Sequence, residues 1–226
     1  MRRLIITLLI MAVAVPCLQA RRPRDKAGNV KNDVYTDKTY KFKLTLNDEW
    51  KYKIKKNDDN FRLVLVQKNY EIPPDYLDAP DYTMVPRLVL WVGKTTMSAF
   101  AFTDSLLSES YSSDQKKELF REFDILNDNI SEGGNSREKL VTRKKRAFTL
   151  GEGKALEWTG QMKYRKEVAE SASSIGGKRV IGAYGGSMVS IKRGDEIYVF
   201  HLICEWNYFE SNMAKAMEII ETITWE

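Results

Sequence analysis

The segment from residue 70 to residue 82, YEIPPDYLDAPDY, holds the side chains best suited to binding chemistry. Its four carboxylates are Glu71, Asp75, Asp78 and Asp81. Oxygen-rich loops suit Ca²⁺ or Mn²⁺, although the spacing here is not that of an EF-hand. Its three tyrosines are Tyr70, Tyr76 and Tyr82, and aromatic side chains dominate many protein interfaces. A solvated loop, a recognition loop for a protein partner and a cation site are the alternatives, and the partner is favoured over the cation.

Nucleophilic and zinc chemistry need side chains that this sequence provides only sparingly. His201 is the only histidine, and it lies three residues before Cys204 in the apolar stretch YVFHLIC. Strand positions an odd number apart point to opposite faces, so these two side chains do not form a Cys–His pair. A zinc site lacks its other ligands, and Gly182–Gly186 indicates a bent strand rather than a phosphate loop. We therefore expect no catalytic residues, no cofactor and no enzymatic activity.

Four consecutive basic residues, Arg143 to Arg146 (RKKR), offer the opposite charge. Along a regular strand they alternate between faces, so one face carries at most two of them unless the strand lies at an edge of the sheet. Lysines on an exposed edge strand also prevent sheets from associating. A solvated edge is favoured over the binding of an anion or a membrane surface. No series of stacking aromatic residues accompanies the run, so we expect no nucleic-acid partner.

The first half of the chain predicts strands that could position these residues. Apolar residues alternate with polar ones over 40–46 and again over 50–54, which is the period of half-buried strands. A more apolar strand follows at 61–66, and the short polar turns between the three predict an antiparallel meander. After a proline-rich connection over 69–86, an apolar strand resumes at 85–92.

Helical spacing appears in two places. Ser112 precedes an amphipathic stretch, with Gln115 as its capping-box partner. Residues 103–110 could add a preceding turn of helix. Near the end of the chain, Asn207 and Glu210 form a second capping pair before a short helix.

The second half of the chain is rich in strands, predicted at 138–149, 154–164, 179–192 and 196–204. Gly151 with Gly153, and Arg193-Gly194-Asp195, indicate hairpin turns. Two helices can cover a sheet of seven or eight strands only if the sheet is antiparallel and the helices pack at its faces. The predicted fold class is α+β, with an antiparallel sheet sandwiched by a few helices.

Several short patterns follow one another in a definite order along nearly the whole chain after its first 20 residues. They are Tyr40-x-Phe42, Trp50 opening the second strand, the Leu88–Val92 strand before a helix, Gly153-Lys154-Ala155 opening a strand, and Ile223-Thr224-Trp225 after the last helix. Together they resemble the Mog1/PsbP-like fold. The resemblance implies an α/β/α sandwich and a non-enzymatic function, as an accessory subunit of a membrane complex or an exported protein.

Residues 1–20 are typical of a cleavable signal peptide. Its parts are the basic pair Arg2 and Arg3, the apolar stretch Leu4–Val15, the helix-breaking Pro16 and the small Ala20 at the cleavage point. Cys17 lies among residues that fit a lipoprotein signal poorly, so we expect no lipid anchor there. Cleavage lowers the formal net charge from +5 to +3 and leaves Cys204 as the remaining cysteine.

The mature chain is expected to begin with a disordered basic leader over residues 21–33, because that stretch is charged and nearly devoid of apolar residues. Residues 34–226 then form a single α+β domain. No stretch after the signal approaches the ~18 apolar residues of a membrane-spanning helix.

These features predict a secreted or periplasmic, non-catalytic protein. Its expected function is to bind a protein partner as an accessory or assembly factor of the cell envelope. The alternative is an extracytoplasmic protein that binds a small ligand or a divalent cation with the face near residues 70–82.

Overall fold

Two antiparallel sheets carry most of the residues that the computed structural model describes, namely 25–70, 85–108, 110–121, 135–137, 141–168 and 177–226. The strands are β1 (Gly28–Lys31), β2 (Val34–Asp37), β3 (Phe42–Thr45), β4 (Trp50–Ile54), β5 (Phe61–Gln67), β6 (Arg87–Lys94), β7 (Asn135–Arg137), β8 (Val141–Leu150), β9 (Gly153–Val168), β10 (Gly177–Arg193), β11 (Glu196–Glu205) and β12 (Thr224–Trp225). The small sheet has the order β1-β2-β3-β12. The large sheet has the order β4-β5-β6-β11-β10-β9, and both β7 and β8 pair with the far side of β9.

The large sheet separates two hydrophobic cores. Helices α1 (Ala99–Leu107) and α2 (Asp114–Arg121) lie on one side of it, where Phe102 is buried. The small sheet and helix α3 (Phe209–Ile220) cover the other side, where Phe42 is buried. The predicted α+β class, an antiparallel sheet with a few helices at its faces, is confirmed, and the small sheet is an additional layer.

Order begins earlier than the sequence predicts. Strand β1 pairs with β2 across the turn residues Asn32 and Asp33, whose φ angles are 50° and 59°. Two positive φ values define a type I′ turn, whose twist matches that of a hairpin. Residues 28–31, assigned to a disordered leader, are therefore a strand, and the predicted leader boundary at residue 33 is wrong. The composition misleads because this edge strand exposes Asn29 and Lys31 to solvent.

The meander predicted over residues 40–66 is wrong at its first junction. Strand β3 pairs with β2 and β12, whereas β4 pairs with β5 in the large sheet. The chain passes from one sheet to the other between Leu46 and Trp50, which are both buried. Alternation along a strand reports which face is buried, and it does not identify the neighbouring strand.

The hairpins of the second half are confirmed. Gly151 and Gly194 have φ angles of 56° and 54° and occupy two-residue turns between β8 and β9 and between β10 and β11. The glycine-bearing stretch continues as strand β10, with an irregularity between Val180 and Gly182, as expected of a bent strand rather than a phosphate loop.

The entry to α3 differs from the predicted capping pair of Asn207 and Glu210. Residues 206–208 form a short 3₁₀ turn, and the Glu205 carboxylate accepts hydrogen bonds from the main-chain N–H groups of Asn207 and Tyr208. Glu205 thus caps the turn that leads directly into α3. In the described part of the chain, no helix is long and apolar enough to cross a membrane.

A buried ion pair ties the small sheet to the large one. Arg62 lies at an irregularity of β5, between the paired residues Phe61 and Leu63, and its side chain is 1% exposed. Its Nε and Nη2 donate to the two carboxylate oxygens of Asp37 at 2.8 and 3.1 Å. Its Nη1 donates to two main-chain carbonyls of the preceding turn. The Tyr35 hydroxyl also donates to Asp37, at 2.7 Å, and burial raises the pKa of Tyr35, so this hydroxyl stays a donor.

Candidate functional site

A cleft of about 660 Å³ opens between strand β8 and helix α3. The helix packs over β10 and β11. An α-helix is only ~10–12 Å wide and strands are ~4.8 Å apart, so one helix leaves the strip over β8 and β9 uncovered. Strand β8 contributes three cations: Arg143, Lys144 and Arg146. The 3₁₀ turn and α3 contribute mainly aromatic and apolar side chains: Trp206, Phe209, Met213, Ala214 and Met217.

A bulge in β8 brings the three cations to this cleft. Arg143 is an extra residue between positions 142 and 144, which pair with consecutive residues of β9. Arg143 and Lys144 consequently lie on the same side as Arg146. Among the described strands, β8 pairs with β9 alone and is an edge strand. An edge strand is the case excepted from the limit of two basic residues on one face, and the bulge that interrupts the alternation places the third. Lys145 turns to the opposite side, where it pairs with Asp104 of α1.

Two of these cations are held over a buried carboxylate. Glu157 of β9 is 3% exposed. Lys144 Nζ lies 2.9 Å from its Oε1, and Arg146 Nε lies 2.9 Å from its Oε2. The lysine and arginine side chains are nevertheless 50% and 53% exposed. An ammonium has three N–H donors and a guanidinium five, so both cations keep donors for a ligand while Glu157 fixes their position.

Arg143 is anchored at the aromatic end of the cleft. Its Nη2 donates to the side-chain oxygen of Gln161, and its guanidinium lies 6.0 Å from the centroid of the Trp206 ring. A cation over an indole face is attracted by the ring quadrupole. Trp206 stacks on Phe209, with centroids 5.6 Å apart. These contacts link the side of the cleft formed by β8, the strand wall, to the side formed by the 3₁₀ turn and α3, the helix wall.

Phe209 approaches strand β10 closely because Gly185 has no side chain. A Cβ atom at Gly185 would lie 2.3 Å from the Phe209 ring. The adjacent Gly186 points to the other side of the sheet, where a Cβ atom would find its nearest neighbour, in His201, at 3.8 Å. The absence of a side chain at Gly185 therefore determines how closely the Phe209 ring approaches β10. Gly186 is a matched glycine at which an added side chain would not meet this ring.

The substitution Gly185→Ala is expected to lower the free energy of unfolding by about 1–3 kcal/mol, because overpacking displaces the Phe209 ring. Gly186→Ala is expected to change it by less than about 0.5 kcal/mol, since its new methyl group meets only ordinary contacts. Urea unfolding of both variants measures the difference. Equal effects of the two substitutions would contradict the close approach of Phe209.

His201 and Cys204 are buried in β11 and lie on opposite faces, as predicted. His201 is in register with Met188 and Trp158 on the side of α1. Burial, together with the nearby positive charge of Arg87, lowers the pKa of His201 to about 3. Burial raises the pKa of the Cys204 thiol. Both groups are thus uncharged at neutral pH, and neither lines the cleft.

Most of the sequence-predicted site lies outside the described residues. This holds for six of its members: Glu71, Asp75, Asp78, Asp81, Tyr76 and Tyr82. The cation and partner assignments at those positions stay predictions. Tyr70 is described, and its ring packs edge-on against Tyr208 with centroids 6.4 Å apart. Among the described residues, no three His, Cys, Asp or Glu side chains are grouped to hold a metal ion.

The cleft itself was not predicted, although two of its parts left signals in the sequence. The RKKR run indicated the cationic residues of the strand wall, and the apolar face of the last helix indicated the residues of the helix wall. A bulge has no fixed compositional signature, so the facing of the three cations could not be derived from spacing. Glu157 is one charged residue among many until the fold places it beneath Lys144 and Arg146.

Comparison with known proteins yields structural similarity alone. No protein-family model and no curated protein matches the sequence. The chain is similar to PsbP (CyanoP) from Synechocystis sp. PCC 6803, at 10% identity over 91% of this chain and 100% of that one, with a TM-score of 0.44. It is also similar to LpqN, involved in cell envelope biogenesis of Mycobacterium tuberculosis, at 13% identity over 81% and 82%, with a TM-score of 0.38.

A third similar structure is a protein from Bacteroides thetaiotaomicron VPI-5482, at 9% identity over 82% of this chain and 45% of that one, with a TM-score of 0.36. One of these structures is a PsbP, the protein class named in the resemblance noted in the sequence. All three TM-scores are below 0.5, so no site, partner or activity is carried over from these proteins.

Proposed function

We propose that this chain is an exported, non-catalytic binding protein, and that the cleft between β8 and α3 receives a segment of a protein partner in the cell envelope. The observation that carries the proposal is one open cleft with three cations on its strand wall and an aromatic and methionine-rich helix wall. Export rests on the signal-like composition of residues 1–20. The burial of His201 and Cys204 on opposite faces supports binding rather than nucleophilic chemistry.

The physical properties of the walls suit a protein ligand. Methionine side chains are flexible and polarizable, so the half-buried Met217 can adapt to different apolar side chains. Lys144 and Arg146 are already held by Glu157. Because their rotamers are restrained before binding, less conformational entropy is lost when a partner arrives.

Ala214→Trp is expected to weaken partner binding strongly, because Ala214 is exposed and lines the cleft. An indole at this position fills the space without removing any charge or core contact. The tagged protein is purified from its own cells, and co-purifying polypeptides are quantified by mass spectrometry. A polypeptide held through the cleft should fall at least about tenfold, which corresponds to ~1.4 kcal/mol.

Ser211→Trp on the same helix is the matched control. Ser211 is exposed but is not part of the cleft lining. This variant therefore adds the same indole about 60° around α3 from Ala214, next to the cleft but outside its lining. It should retain the polypeptide that Ala214→Trp loses. If both variants retain the polypeptide equally, or both lose it equally, the cleft is not the binding site.

A small molecule is the second candidate, because a volume of about 660 Å³ lies within the range of small-ligand sites. Native mass spectrometry of the protein from its own cells separates the two. A retained non-covalent mass typical of a metabolite, lost in Ala214→Trp, would favour this candidate. A second polypeptide lost in the same variant would favour the partner.

A further inference from the structure

We infer that the cleft recognises an extended segment in which acidic and apolar residues alternate. The inference rests on the proposed function and names the chemistry of the partner segment. It comes from the matching periodicities of the two walls and from the charge of the strand wall.

The strand wall defines a spacing for acids. Lys144 and Arg146 are two positions apart on β8 and share the cleft side, so they are about 6.6–6.8 Å apart along the strand. An extended ligand also presents alternate side chains on one face at this spacing. Acidic residues at positions i and i+2 of the ligand can therefore face Lys144 and Arg146 at the same time.

The helix wall defines a matching spacing for apolar groups. Met213 and Met217 are four residues apart on α3, and residues at this separation share a helix face with Cβ atoms about 5–6 Å apart. In the same extended ligand, the residues between the acids point away from the strand wall. Apolar side chains at i+1 and i+3 can therefore contact the half-buried Met217 and, beside exposed Ala214, the small accessible part of Met213, which is 7% exposed.

The charges around the cleft favour an anion on the strand side. Arg143, Lys144 and Arg146 are opposed by two carboxylates, Glu157 and Glu210. Glu157 is 3% exposed and paired with the second and third of these cations, so an incoming acid meets their donors first. Glu210 is exposed in the first turn of α3 and weakens the attraction of the site for acids.

Binding of short synthetic peptides tests this assignment directly on the purified chain. The probe is a fluorescent peptide of about eight residues in which glutamate and leucine alternate, roughly 26 Å when extended. One control has the same composition in two blocks, and the other has lysine in place of glutamate. The alternating acidic peptide should bind at least about tenfold more tightly than either control, a difference of ~1.4 kcal/mol, and added salt should weaken it.

Two charge variants give opposite expectations. Arg143→Gln leaves the Glu157 pairs intact and should lower the affinity for the acidic peptide by roughly threefold. Glu210→Gln should raise that affinity by roughly twofold. Lys53→Gln on β4 removes an exposed charge far along the strand order of the sheet and should have no effect. A loss caused by disturbed folding would not produce the gain expected of Glu210→Gln.

Any of three results with the peptides would overturn the inference. They are equal binding of the lysine peptide, equal binding of the block peptide, or failure of the acidic peptide to bind at all. Binding to vesicles of anionic phospholipid that the acidic peptide does not displace would also overturn it, in favour of a lipid surface. If no peptide binds but Ala214→Trp still loses a cellular partner, the cleft remains the binding site and only its acidic–apolar specificity fails.

Discussion

Replacing Asp37 with alanine is expected to lower the free energy of unfolding by about 3–5 kcal/mol, because it leaves the buried Arg62 guanidinium without its counter-ion. Both side chains are at most 1% exposed, so water cannot replace the lost carboxylate. The Tyr35 hydroxyl loses its acceptor at the same time. Urea unfolding at neutral pH measures the loss, and the amide hydrogens of the small sheet should exchange faster than they do in the wild type.

Asp48→Ala is the control for this prediction, because Asp48 is exposed in a turn, and it should change stability by less than about 0.5 kcal/mol. Replacing the pair together, as Asp37→Leu with Arg62→Met, should recover a large part of the loss, since no charge is then left buried. A cost of less than about 1 kcal/mol for Asp37→Ala would show that the ion pair does not hold the sheets together.

Acidification is expected to destabilise the protein through His201. Burial lowers the pKa of this imidazole from 6.5 to about 3 in the folded state, whereas the unfolded chain takes up the proton near pH 6.5. Between these two values the unfolded state binds more protons, so stability falls as the pH falls. The contribution is about 1.4 kcal/mol per pH unit, or about 2–3 kcal/mol between pH 6.5 and pH 4.5.

His201→Gln removes the titrating group and retains a polar side chain of similar length. Its free energy of unfolding should fall less steeply than that of the wild type over the same range, and the two curves should run parallel above about pH 7. Comparing the two slopes cancels the acidic residues that both proteins share. Parallel curves over the whole range would mean that His201 is protonated equally in both states.

The sequence predicted the elements of the fold better than their arrangement. Alternation identified the strands, and Gly151 and Gly194 identified the hairpins, because both signals are local. The β1–β2 hairpin was missed because its residues are polar and its turn depends on two non-glycine residues with positive φ. The pairing of β3 with β12 joins residues at opposite ends of the chain, and no local pattern encodes that contact.

Local sequence patterns also fail to predict how the side chains of the cleft are arranged. The basic run was visible, but the positions of its members depend on an extra residue at Arg143 that only the register with β9 reveals. Glu157 and Gly185 matter because of what lies above them, Lys144 and Phe209. Their residue types carried no such information.

Trp206 gives the cleft an optical signal of its own. Three of the five tryptophans are at most 2% exposed: Trp50, Trp91 and Trp158. Trp225 packs against Tyr198 at the end of the chain, and Trp206 is the only tryptophan in the described lining of the cleft. Its indole lies beside the Arg143 guanidinium, so a ligand that draws on that cation also changes the surroundings of the fluorophore. The unlabelled protein can therefore report occupancy of its cleft by a change in intrinsic emission. That change should be absent in Trp206→Phe, which retains the emission of the other four tryptophans.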